Sequence, residues 1–151
     1  MDELTALETW AAPLLARLQE GERRKLARKT GTALRRSQSQ RIGRQQAPDG
    51  TPYAPRKEPL RDKSGRVKRK KMFAKLRQAK FLKVSASPNE VSVGFIGRVS
   101  HIARVHQEGQ EGNVRPGGPK AMYAKRVILG LTTEERNAIC NSLGLHLARR
   151  S

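Results

Sequence analysis

Apolar residues are placed along this chain in two rhythms. Leu4, Leu7, Trp10, Ala11, Leu14, Leu15 and Leu18 recur at spacings of three and four, which predicts an amphipathic helix interrupted at Gly21. A second helical stretch follows from about Glu22 to Ile42. Its apolar positions are only Leu26, Ala27, Leu34 and Ile42, a face too thin to bury well by itself. Periodicity returns at Met72, where Met72, Phe73, Leu76 and Ala79 suit a short helix. The rhythm then shortens to two. Leu82, Val84 and Ala86 alternate with Lys83 and Ser85, and Val91, Val93 and Phe95 alternate with Ser92 and Gly94. Between these runs, Ser87-Pro88-Asn89-Glu90 suits a type I turn. The expectation is an antiparallel hairpin with Leu82, Val84, Val91, Val93 and Phe95 on one buried face.

Val99, Ile102, Ala103 and His106 are spaced for a further short helix, and a glycine-rich loop runs from Gly109 to Gly118. Met122 to Leu131, with Tyr123, Val127, Ile128 and Leu129, reads as another strand. Thr132-Thr133-Glu134-Glu135 is a capping-box pattern that opens a helix with Ile139, Leu143 and Leu147 on one face. No internal repeat of useful length is present. Together these elements predict an α+β fold with N-terminal helices, an antiparallel sheet centred on the hairpin and a C-terminal helix packed on the sheet. One domain spans residues 1–151. It divides into a helical segment (1–44), a proline-rich loop with a basic arm (45–71) and an α/β core (72–151).

Composition sharpens this picture. Only 36% of the 151 residues are hydrophobic and 4% aromatic. A chain this polar carries long solvated segments, or completes its core through partners. The loop from Gln45 to Pro55 holds three prolines and an Asp-Gly pair, which fix turns and exclude helix.

Charge changes the picture most. Thirty-two Lys and Arg against thirteen Asp and Glu leave a net charge of +19. Residues 1–20 are acidic, with Asp2, Glu3, Glu8 and Glu20 against Arg17. Residues 54–71 hold nine bases against Glu58 and Asp62, with few apolar anchors. This stretch reads as an exposed arm, mobile in the free subunit. Arg61, Arg66, Lys68, Arg69, Lys70 and Lys71 are its candidate contact residues. A small nucleic-acid-binding protein would use them on phosphates. The competing reading is an arm ordered against acidic protein neighbours. Tyr53 and Phe73 are the only aromatics near enough to act as stacking platforms.

Candidate chemistry is sparse. His101 and His106 are five apart, about 140° around a helix, so they diverge rather than share a metal. Cys140, the only cysteine, lies beside an apolar stripe and is expected to be a small buried hydrophobe. It excludes an intrachain disulfide and suits a reducing compartment. No phosphate-binding glycine loop and no carboxylate pair suited to acid–base work is found. Gly94-Phe95-Ile96-Gly97 matches a nucleic-acid Gly-x-x-Gly loop in letters only, because it ends a β run. The expectation is a protein that is not an enzyme and uses no cofactor or metal. No apolar run approaches a membrane span and the acidic N-terminus is not a signal peptide, so a soluble protein made in the cytoplasm is expected.

Three blocks carry a resemblance. They are Arg41 to Pro55 (RIGRQQAPDGTPYAP), Ile102 to Gly109 (IARVHQEG) and Tyr123 to Thr132 (YAKRVILGLT). In this order, with the basic stretch between the first two, the chain resembles the phage virion morphogenesis family. The resemblance spans most of the chain. The third block lacks the prolines that the corresponding strand of related joining proteins often carries. The resemblance implies a non-enzymatic virion component that acts late, at the head-proximal end of the tail, so that a DNA-filled head can join. It implies a homo-oligomeric ring, a hexamer matching tail symmetry. Its neighbours would be tail tube, sheath and neck or connector proteins, with genomic DNA close by at the joint. The protein would assemble in the host cytoplasm and end in the virion. The family loop would be Pro48, Asp49, Gly50 and Tyr53. Leu7, Trp10 and Leu14 would serve as core or as an oligomer contact. A ring subunit tolerates a sparse core because its neighbours complete it.

Overall fold

The computed structural model describes residues 3–55, 71–113 and 120–148. Helix α1 spans Glu3–Leu15 and α2 spans Glu20–Gly43. The break falls at residues 16–19, not at Gly21, which lies inside the first turn of α2. Pro13 removes an amide donor near the end of α1. The chain then tightens, with the amides of Arg17 and Leu18 donating to Leu14 and Leu15 three residues back.

Strands β1 (Leu82–Ala86) and β2 (Val91–Phe95) form the expected hairpin, pairing Leu82 with Phe95, Val84 with Val93 and Ala86 with Val91. The Ser87 hydroxyl accepts the Asn89 and Glu90 amides at the turn, and the Ser87 amide donates to the Glu90 carbonyl at 2.8 Å. Leu82 is fully buried, whereas Val84, Val91, Val93 and Phe95 are half-buried.

Helix α3 (Arg98–Glu108) follows Gly97 and ends on the left-handed Gly109. Strands β3 (Glu111–Asn113) and β4 (Lys120–Met122) make a second short ladder. Helix α4 runs from Thr133 to Ala148. Its capping box forms as expected. The Glu135 amide donates to the Thr132 hydroxyl and the Thr132 amide to the Glu135 carboxylate, both at 3.0 Å.

Three further expectations are corrected. The C-terminal helix does not pack on the sheet. Helix α2 covers the hairpin, and α4 lies against α1 and α2. Gly31 makes the α2–hairpin contact possible, because a Cβ there would lie 2.4 Å from Val84 Cγ1 and 2.7 Å from Val91 Cγ2. The helix that lacks apolar bulk thus comes close enough for backbone to fill the gap. Residues 72–80 form successive turns in place of a helix, with Phe73 at φ 63°. Finally, the strand expected over 122–131 pairs only through Met122. Beyond it the Tyr123 and Arg126 amides donate to the Gln110 and His106 carbonyls, and residues 128–130 are bonded by side chains.

Two apolar clusters result. Ile42, Met72, Phe73, Leu76, Leu82, Ala103 and Ile128 form the larger one, beneath α2 and the hairpin. Ala11, Leu18, Leu26 and Leu143 form the smaller one, joining α1, α2 and α4.

Candidate functional site

The thin face of α2 carries two buried polar residues, Gln38 and Arg41, three apart and therefore on one side of the helix. Both reach the segment that follows β4. Gln38 Nε2 lies 2.7 Å from the Gly130 carbonyl oxygen and 2.9 and 3.0 Å from the Glu135 carboxylate oxygens. Arg41 Nη2 donates to the Ile128 carbonyl at 2.7 Å and to Gln38 Oε1, and Nη1 donates to the Gln46 carbonyl at 3.0 Å. Burial pulls the Arg41 pKa below its ordinary value, with Tyr53 and Glu135 acting in the opposite direction.

From the other side, Gln107 on α3 accepts the amides of Ile128 and Leu129 at 2.7 and 3.1 Å and donates to the Leu129 carbonyl at 3.0 Å. Residues 128–130 therefore receive from side chains the bonds a neighbouring strand would supply. Their apolar residues still face inward, and Ile128 is fully buried.

The same network fixes the loop from Gln45 to Pro55. Gly50, at φ 88°, turns the chain so that its amide reaches the Ala47 carbonyl at 2.9 Å. Pro48 packs on Gly130, where a Cβ would lie 2.7 Å from Pro48 Cγ. Asp49 is exposed at the tip and accepts the Thr51 amide at 2.9 Å. Its bonds to Thr51 hold its carboxyl below the usual range. Tyr53 is half-buried, and burial pushes its phenol above the ordinary 10.0. At the end of the loop, buried Arg126 donates from Nε to the Ala54 carbonyl and from Nη2 to the Pro55 carbonyl, both at 2.9 Å. Its Nη1 lies 3.1 Å from His106 Nδ1. A guanidinium only donates, so Nδ1 is the acceptor in this contact. Four rings stack edge to face or tilted in a row, Tyr53 to Phe73 to His106 to Tyr123, with centroids 5.4, 4.9 and 4.7 Å apart.

The three sequence blocks thus meet in one place. They build a rigid support that presents Asp49 and Gly50 to solvent. The arrangement offers no nucleophile next to a base. Among the described residues, no group of three His, Cys, Asp or Glu could hold a metal ion.

The remaining candidates are scattered. Lys71 is exposed and borders a shallow cleft of about 310 Å³ with Phe73, Ala74, Lys75, Leu76, Ile102 and His106. Arg61, Arg66, Lys68, Arg69 and Lys70 lie outside the described residues, and so does most of the arm expected to be mobile over 54–71. Leu7 is buried, Leu14 is half-buried and Trp10 is 45% exposed, so the tryptophan is not core. His106 is buried, while His101 is exposed on the diverging side. Cys140 is half-buried. Gln38, Gln107 and Arg126 escaped sequence reading. The one signal was that Arg41 and Gln38 interrupt the sparse apolar face of α2 beside Ile42.

Residues 2–148 match the phage virion morphogenesis family, and the chain belongs to it. It is 43% identical to tail completion protein S of Escherichia phage P2 over 151 residues, covering 99% of this chain and 100% of that protein. No solved structure matches the chain.

Proposed function

We propose that this protein is a structural component of a phage tail, completing it at the head-proximal end so that a DNA-filled head can be joined. The full-length likeness to a tail completion protein carries this reading. The subunit acts as a homo-oligomeric ring, a hexamer, among tube, sheath and neck proteins. Its surface supports an assembled state. Leu4, Trp10, Ile96, Ile102, Met122 and Leu145 are large apolar residues left exposed. Tryptophan is enriched at the anchoring positions of interfaces. Trp10 is therefore the proposed ring contact on α1, with Leu7 and Leu14 holding that helix in place.

The loop of Pro48, Asp49, Gly50 and Tyr53 is proposed as a second contact, because its backbone is fixed while its tip is open. Lys68, Arg69, Lys70 and Lys71, with Arg61 and Arg66, are proposed to meet an acidic tail or neck protein. The protein is not an enzyme in this reading and needs no cofactor. It resides in the virion after assembly in the host cytoplasm. Among the described residues, no helix is long and apolar enough to cross a membrane.

The test is complementation of a phage lacking this protein, with electron microscopy of the lysate. Trp10→Asp should leave the fold intact and yield unjoined heads and tails. Native mass measurement of the purified protein should show the oligomer for the wild type and its loss for Trp10→Asp. Full titre with normal particles from that variant would refute the contact.

A further inference from the structure

Between Arg23 and Arg44, helix α2 and its cap carry nine bases and no acid. Arg24, Lys25, Arg28, Lys29, Arg35 and Arg36 fall on one arc of the helix, roughly 140° wide at 100° per residue. Five of the six are exposed and Arg35 is half-buried. Their heads extend over about 18 Å of helix, from Arg24 to Arg36, at 1.5 Å per residue. None makes an ion pair or hydrogen bond with another described side chain. The rest of the helix circumference is fixed, starting at Gly31 beside Arg28 and Arg35. Gly31 touches the hairpin, Leu26 joins the α1–α4 cluster and Gln38 and Arg41 hold residues 128–135. The stripe is therefore rigid and preformed, unlike a charge run on a loop.

We infer that this face of α2 is a docking surface for the phosphate backbone of duplex DNA, read without regard to sequence. Its composition separates this from a protein partner. The centre of a protein interface is apolar, with Arg set among aromatic residues and Met while Lys, Asp and Glu are depleted. Here the arc is cationic throughout, with Thr32 between the bases and Ala33 the only exposed apolar neighbour in this stretch. It carries no aromatic ring, so it lacks the stacking platforms that single-stranded nucleic acid uses. Duplex DNA offers about one phosphate per 1.7 Å of axis, so 18 Å of duplex presents roughly ten charges to six bases. The stripe lies wholly within α2 and shares no residue with the basic arm over 54–71.

Binding of the full chain to a fluorescent 30-base-pair duplex, measured across salt concentrations, tests it. The variant Arg24→Gln, Arg28→Gln, Lys29→Gln, Arg36→Gln removes four charges from the stripe. The control Lys75→Gln, Lys83→Gln, Arg98→Gln, Arg104→Gln removes four exposed charges elsewhere. Each phosphate contact contributes about 0.9 to the slope of log affinity against log salt, so the stripe variant should flatten it by about three to four. The control should leave the slope within one. Arg→Lys exchanges at 24, 28 and 36 should preserve binding, because phosphate attraction needs charge, whereas a forked carboxylate partner would reject lysine. Circular dichroism confirms that each variant is folded. Equal flattening by both quadruple variants, absence of duplex binding in the wild type, or displacement of the duplex by charge-matched polyglutamate would each overturn the inference.

Discussion

Gln107 and Ile128 are joined as two strands would be, although neither residue belongs to a ladder. The Gln107 Oε1 accepts the Ile128 amide at 2.7 Å, and the same oxygen takes the Leu129 amide at 3.1 Å. A single side chain thus serves as a strand edge.

Replacing that side chain should show its weight. Gln107→Ala leaves two amides and the Leu129 carbonyl without these partners. Leaving buried polar groups unpaired costs about 1–3 kcal/mol. A lower urea midpoint with an unchanged slope is the expected result.

Two glycines make an opposed pair. Gly31→Ala would gain helix propensity, yet its Cβ would press on Val84 and Val91 at 2.4 and 2.7 Å. Overpacking of this kind costs about 1–3 kcal/mol, more than the roughly 1 kcal/mol gained from propensity. At Gly144 in α4, a Cβ would have open space, with nothing within 4 Å. Gly144→Ala should therefore stabilise the protein by up to about 1 kcal/mol. Thermal denaturation should move in opposite directions for the two.

The capping box is expected to show unequal halves. Thr132→Ala removes one cap and should cost about 1 kcal/mol. Glu135→Ala removes the same box and also takes the partner from one Gln38 N–H, so a loss of about 2–3 kcal/mol is expected. Adding Gln38→Ala to Glu135→Ala should cost less than the sum of the two single changes. Strict additivity would mean that the bond between α2 and α4 contributes nothing.

Tyr53 gives the stability a pH dependence. Burial raises its folded pKa above 10.0, opposed by the nearby Arg41 guanidinium. The neutral phenol is favoured in the folded state. Its contribution is full below the unfolded pKa and is lost as pH rises through the folded pKa. Melting temperature should fall above about pH 10, and Tyr53→Phe should lessen that fall. An unchanged alkaline decline in Tyr53→Phe would assign it to other groups.

The hairpin and the capping box were readable because their signals are local. Alternation at two residues and a Thr and Glu three apart need no information from the rest of the chain. The blocks Arg41–Pro55, Ile102–Gly109 and Tyr123–Thr132 pointed to the family but not to their mutual contact. Residues 123–131 carried strand-like apolar residues, and those do face the core. What sequence did not disclose is that Gln38, Arg41 and Gln107 would take the place of a paired strand from 21 to 92 residues away. Met72 to Ala79 had helical spacing, yet Phe73 adopts a left-handed backbone that ends such a helix. Trp10 shared the rhythm of Leu7 and Ala11, but it sits at the edge of their face and stays in solvent.

The bonds of Gln38 to Gly130 and Glu135 span 92 and 97 residues. A chain emerging from the ribosome has made all of α2 long before either partner exists. Until then Gln38 and Arg41 interrupt the apolar face of α2 and must remain hydrated, which holds that face open. The hairpin can form early, whereas closure of α2 onto residues 128–135 waits for almost the entire polypeptide. A nascent or truncated chain ending before Glu135 therefore lacks the partners that seat α2 on residues 128–135 and should not reach the packing of the full chain.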